Sequence, residues 1–175
     1  DAGSLTLNSS VTTLVTNDGE TRIRGGTHTN VTMGGGNLSV TGGTITNLLM
    51  LRGTATLGLG VGAGNSVVKT GGTLDMYTAP TTLTSNSGDT YVRNAGMTTC
   101  TINSGIFYWG ASSATIGTLN LQNCIFDLDQ GSTAAVTVTT LNITGNVTIR
   151  DSAKRLTVTN KYPFANGRIT YTALS

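Results

Sequence analysis

Near-copies of one seventeen-residue unit run through this chain, and that repetition restricts its fold more than any single motif does. In Asn37 to Gly53, NLSVTGGTITNLLMLRG, a short alternating run (Leu38, Val40) leads to a glycine pair (Gly42, Gly43). A second apolar run (Ile45, Leu48, Met50) and a closing glycine, Gly53, complete the unit. It reads as two short strands and two turns, one coil of a larger winding. One track of apolar anchors is Leu7, Ile23, Val40, Leu57, Met76, Val92, Trp109, Leu128 and Ile149, at steps of 16, 17, 17, 19, 16, 17, 19 and 21. A second track is Leu14, Val31, Leu48, Val67, Leu83, Cys100, Leu119, Val138 and Leu156, at steps of 17, 17, 19, 16, 17, 19, 19 and 18.

A coil of this size cannot bury its apolar face alone, so successive coils must stack and their inward side chains must form one column. The expectation is an all-β, single-stranded parallel β-helix of about nine coils with a period near 17 residues. At a strand spacing of about 4.8 Å the rod would be about 43 Å long. No apolar stripe holds a 3.6-residue period for long, and threonine, about a fifth of the chain, favours strands over helix. The period carries through residue 160 and then fades. Residues 1–160 therefore read as the β-helix, and 161–175, KYPFANGRITYTALS, as a divergent C-terminal cap or docking segment covering an open solenoid end.

Charged residues are 10% of the chain and aromatic residues 5%, with a formal net charge of +2. That balance supplies no broad attraction to nucleic acid or to acidic lipid, and neither is expected as a partner. The local basic pairs, Arg22 with Arg24 and Lys154 with Arg155, read as solvated faces. No run of eighteen apolar residues is present, so no membrane span is expected. Cys100 and Cys124 read as small buried hydrophobes, and lone His28, just after a glycine pair, as a surface residue of a turn. With one histidine and two thiols on different tracks, no metal or cofactor site is expected.

Candidate contact residues are aromatic. Ile106-Phe107-Tyr108-Trp109 is the densest aromatic cluster, and strand alternation sends Phe107 and Trp109 one way and Ile106 and Tyr108 the other. One pair must face outward, so Tyr108 and Trp109 are both carried as interface candidates, with Tyr162, Phe164 and Tyr171 of the terminal segment. Carboxylates are weaker candidates. Asp75 and Asp127 occupy equivalent places three coils apart, about 14 Å, beyond the roughly 5 to 9.5 Å that glycoside hydrolysis needs. Asp127 and Asp129 share one strand face, and the anchors set Arg150 opposite Asp129, which makes a surface ladder pair of them. No catalytic residue is expected.

The pattern Gly-Gly-Thr followed by alternating apolar residues, at Gly42-Gly43-Thr44 and at Gly71-Gly72-Thr73-Leu74-Asp75-Met76, resembles β-solenoids of bacteriophage virion surface proteins. It is also similar to autotransporter adhesin passengers. The likeness covers most of residues 4–160 and is one of repeat style. A compact length, no visible leader and an aromatic terminal segment tilt it toward a head decoration protein of a phage particle. That resemblance implies a non-enzymatic protein on the virion surface whose partner is the major capsid protein or another virion protein, with a homotrimer as a further possibility. The alternative it implies is a tail fibre, receptor-binding module or cell-surface adhesin that binds glycan.

Overall fold

The computed structural model describes residues 3–59, 64–93, 96–110, 115–130, 135–161 and 165–172, with side chains described through Asn160. The glycine-dense turn at 58–64 lies for the most part outside the described residues. Short strands follow one another as β1 (Ser4–Leu7), β2 (Val11–Thr16), β3 (Glu20–Ile23), β4 (Thr27–Met33), β5 (Asn37–Val40) and β6 (Thr44–Met50). Next come β7 (Thr54–Leu57), β8 (Ser66–Lys69), β9 (Thr73–Met76), β10 (Thr82–Ser85), β11 (Asp89–Val92) and β12 (Met97–Ile102). The chain closes with β13 (Gly105–Trp109), β14 (Thr115–Gln122), β15 (Cys124–Asp127), β16 (Val136–Arg150), β17 (Leu156–Lys161) and β18 (Ala165–Thr172). No helix occurs among the described residues.

All described strands belong to one 18-stranded sheet in which each strand through β14 pairs in parallel with the strand two places on. The odd strands from β1 to β15 form one ladder and the even strands from β2 to β14 the other. The long β16 enters both, its first half beside β14 and its last residues beside β15. Eight turns carry the chain from β1 to the end of β16, and β17 and β18 add a further one. The architecture is a parallel β-solenoid.

The register matches the anchors over most of the rod. Leu7, Ile23, Val40, Leu57, Met76, Val92 and Trp109 face one another rung by rung. Leu14, Val31, Leu48, Val67, Leu83, Cys100 and Leu119 do the same on the second ladder. Both columns are buried along nearly all their length and make one continuous apolar core. The longer strands bend once, because their inward residues are spaced three and then two apart: His28, Val31 and Met33 in β4, and Ile45, Leu48 and Met50 in β6. Pro80, which cannot donate to a ladder, lies between β9 and β10.

One turn repeats with equal regularity. Gly19, Gly36, Gly53, Gly72 and Gly88 precede successive odd strands and Gly105 opens the next, all at positive φ between 73° and 92°. A β-carbon on Gly53 would collide with the Gly36 carbonyl oxygen, the acceptor of the Thr54 amide at 2.9 Å. Glycine is therefore required twice over, by the backbone conformation and by the closeness of the coil beneath.

The last coils depart from the expected spacing. Leu119 pairs with Leu141 rather than Val138, and Phe126 pairs with Ile149. The steps there are 22 (119 to 141) and 23 (126 to 149), longer than elsewhere. Leu128 and Phe126 are both buried, two residues apart, and a two-residue slip leaves the inward and outward sets unchanged. Val138 and Leu141 are likewise both inward, across the bend of β16. Alternation alone therefore could not detect either shift. At the C-terminal end β17 runs through Lys161, and β18 continues the parallel ladder beside β16.

Leu48 lies at mid-column with 2% of its surface exposed. Replacing it with Asp places an unpaired charge between Val31 and Val67, a cost of about 3–5 kcal/mol. The expected outcome is a large fall in the urea midpoint; a midpoint near the wild-type value would show that this column does not face inward.

Candidate functional site

Among the described residues, the outward face of the odd ladder carries a cluster of aromatic and charged groups. Asp75, Tyr91, Tyr108 and Asp127 succeed one another in register on β9, β11, β13 and β15. Alternation turns Tyr91 and Tyr108 outward because their neighbours Val92, Phe107 and Trp109 are buried. At adjacent rungs the two phenol rings stack, with centroids 4.3 Å apart and planes within 1°. Burial pushes the Tyr108 phenol up to about 12, helped by Tyr91 beside it and by the nearby charges of Asp89 and Asp127.

Arg93 locks the near end of this stack. Its Nε donates to Asp75 Oδ1 at 2.6 Å, and its guanidinium carbon lies 5.6 Å from the Tyr77 ring centre and 5.4 Å from that of Tyr91. The hydrogen bond to Asp75 raises the arginine's pKa further. An exposed ion pair of this kind is worth only about 0–1 kcal/mol, but here it fixes the orientation of a cation over two rings. Beside the stack opens a groove of about 180 Å³ lined by Tyr91, Val92, Arg93, Tyr108, Gly110 and Gln130. A second, shallower trough of about 430 Å³ between Pro80, Met97 and Gly117 has no charged side chain in its lining.

Of the expected contact residues, Tyr108 is half-buried on the outer face, whereas Trp109 is 0% exposed. Trp109 is corrected from a contact residue to a core residue: one position beyond Tyr108 it must point inward, where its ring packs edge-on against Phe107 at 5.8 Å. Tyr162 and Phe164 lie outside the described residues. Tyr171 is placed in β18 opposite Ile149, but its side chain lies outside them. Sequence reasoning passed over Tyr77, Tyr91 and Arg93, and weighed Asp75 only against Asp127. The signal was available: Tyr91 precedes Tyr108 by 17 residues, and Tyr77 precedes Arg93 by 16, so each pair shares a place in the repeat.

The acidic pair is not the expected surface ladder. β15 ends at Asp127, whose partner across the rung is Arg150, at 3.1 Å. Asp129 sits in the turn beyond, where its Oδ1 accepts from Arg155 Nη2 at 2.7 Å and from the Ser152 amide and hydroxyl, each at 2.9 Å. Asp151 in turn accepts from the Arg155 and Leu156 amides. Arg155 is therefore no solvated basic residue, its side chain being 11% exposed. The two-residue slip that misplaced Leu128 also misplaced Asp129. These carboxylates staple the long eighth coil to the next, as acceptors for arginine and backbone donors.

Two more buried groups differ from expectation or escape it. His28 is fully buried in β4 between Val11 and Ile45, with Nε2 donating to the Gly25 carbonyl at 3.0 Å. The strand starts at Thr27, directly after the glycine pair, so His28 lies in β4 rather than in a turn and alternation takes its ring inward. Lys69 takes the inward place that Met50 holds on the preceding rung. Its Nζ donates to the carbonyls of Gly72 and Ser87, and burial lowers its pKa to about 8 despite the charge of Asp89. Cys100 and Cys124 are buried free thiols, and burial holds both above the ordinary thiol range. No cluster that could hold a metal is found among the described residues.

The molecule is thus a parallel β-solenoid with an aromatic and arginine shelf on its flank. Comparison with protein-family models, with curated proteins and with solved structures returned no match.

Lys69 sets a pH dependence. Its folded pKa lies below the unfolded value of 10.5, so the cost of burying the cation is fully present below about pH 8. That cost is relieved as the pH rises toward 10.5, because the unfolded chain then holds more protons than the folded one. Lys69→Met removes this contribution and leaves those of the thiols and of Tyr108, which act in the opposite sense. Melting curves should therefore show the Tm of Lys69→Met minus that of the wild type becoming steadily less favourable to the variant from pH 7 to 10; a constant difference would mean that Lys69 titrates like an exposed lysine.

Proposed function

We propose that this chain is a non-enzymatic structural protein of a bacteriophage particle, and specifically a capsid decoration protein that binds the outer shell surface. The observation that carries the reading is where the polar chemistry is spent. Side-chain amides link rung to rung, Asn30 with Asn47 at 3.0 Å, Asn86 with Asn103 at 2.7 Å and Asn120 with Asn142 at 2.8 Å. The described carboxylates at the long coil are committed to arginine and backbone in the same way. A chain that directs its polar groups to cohesion makes a stiff rod suited to mechanical reinforcement. Its action would be to add contacts that a bare shell lacks, with many copies acting together through mass action and multivalency.

A second reading, a tail-fibre or cell-surface module that binds glycan, is favoured by the Tyr91–Tyr108–Arg93 shelf. Aromatic rings with polar handles are common anchors of recognition surfaces.

Copy number separates the two. Quantitative mass spectrometry of purified particles from the source culture should give about one copy of this chain per one to a few shell subunits if it decorates the capsid. A handful of copies per particle would reject decoration in favour of a fibre, and none would reject a particle role altogether.

A further inference from the structure

We propose that the groove beside the Tyr91–Tyr108 stack is a carbohydrate subsite that seats one neutral pyranose unit of a glycan. The proposal rests on the glycan-binding reading above and does not depend on attachment to a capsid.

The groove exists because one side chain is missing from a column. Tyr77, Arg93 and Gly110 each follow an inward anchor, Met76, Val92 and Trp109. Each sends its amide to the carbonyl of the rung before, at 2.8, 2.8 and 2.7 Å. They occupy the same place on three successive coils. Where the first two project a ring and a guanidinium, Gly110 projects nothing, and the open space is bounded by Arg93, Tyr108 and Gln130 over a floor of Val92. At about 180 Å³ it is smaller than the roughly 300–1,000 Å³ of pockets for drug-sized ligands, a size that suits a single ring.

The lining matches a sugar's two kinds of surface. Stacked on each other, Tyr91 and Tyr108 present to the groove the apolar edges of their rings, against which C–H groups of a pyranose can pack. The guanidinium of Arg93 and the amide of Gln130 offer hydrogen bonds to hydroxyls. Only Nε of Arg93 is engaged by Asp75; among the described residues its terminal nitrogens make no hydrogen bond. Because the Asp75 bond and the two flanking rings already hold that guanidinium, little side-chain freedom remains to be lost on binding.

Charge narrows the class. Asp75 balances Arg93, and Asp89 and Asp127 both act on Tyr108. Asp127 is itself 1% exposed and paired with Arg150, so the charges about the groove are matched in pairs: among the described residues an anionic ligand finds no unpaired cation there, whereas a neutral hydroxylated ring needs only dipoles and hydrogen-bond donors.

The test is saturation-transfer NMR on the whole chain with millimolar methyl glucoside, methyl galactoside, methyl N-acetylglucosaminide and methyl glucuronide as separate probes. The wild type should transfer saturation to at least one neutral pyranoside and to the glucuronide several-fold less. Gly110→Arg, which fills the notch with the side chain type of the rung before, and Tyr108→Ala, which removes the shelf, should each reduce the transfer several-fold; should either fail to fold by circular dichroism, the other decides. No transfer to any neutral probe, transfer undiminished in the folded variants, or transfer to the glucuronide alone would overturn the subsite. A null result here would leave capsid attachment standing, and a null particle count would leave the subsite standing.

Discussion

Every feature of this molecule depends on one constraint: a coil of about 17 residues has no core of its own and becomes stable only when another coil lies against each open side. Parallel pairing satisfies both needs at once. It closes the backbone hydrogen bonds of each strand and slides each inward side chain over its equivalent one rung below. The stacked glycine turn enforces that closeness, since any β-carbon would push the coils apart. Where the stacking stops, the benefit stops too. Leu5, in the inward column of the first coil, is 42% exposed although its equivalents Leu38 and Leu74 are buried.

The same constraint explains the surface. Stacking places equivalent outward residues about one strand spacing apart, so anything repeated in sequence becomes a ladder in space. Asparagines bond to asparagines, Tyr91 stacks on Tyr108, and a carboxylate meets an arginine one rung away. Individually these contacts are weak, roughly 0.2–1 kcal/mol for a cross-strand pair. Their effect on the outer face is to hold side chains in fixed rotamers, and a fixed ring beside a fixed guanidinium is a preorganised surface. Lys69 is a charged exception on the inner side, a cation in a methionine's place, retained with two carbonyl acceptors and a lowered pKa.

The period correctly ordered the inward residues from Leu7 to Trp109 and from Leu14 to Leu119. It failed at the eighth coil, where 22- and 23-residue steps admit a slip that preserves which side chains point in. One consequence was an Asp129–Arg150 pair that does not exist, in place of Asp127–Arg150 and Asp129–Arg155. Another limit was attention to a local cluster: Ile106 to Trp109 drew notice as consecutive aromatics, while the shelf is assembled from Tyr77, Tyr91, Arg93 and Tyr108 on three coils. His28 shows the sensitivity at strand ends, where one residue decides between solvent and core.

By itself the sequence determined the class of fold, the period and most of the core, because a repeat too small to fold alone leaves stacking as the way to bury its apolar residues. It also determined which residues could share a column, since equal places in the repeat become neighbours in space. Only the tertiary structure decided the register of the long eighth coil, the partners of Asp129, and the groove that Gly110 leaves between Arg93 and Gln130. Those depend on how far one coil advances over the next, and side-chain alternation with a period of two is blind to an even-numbered shift.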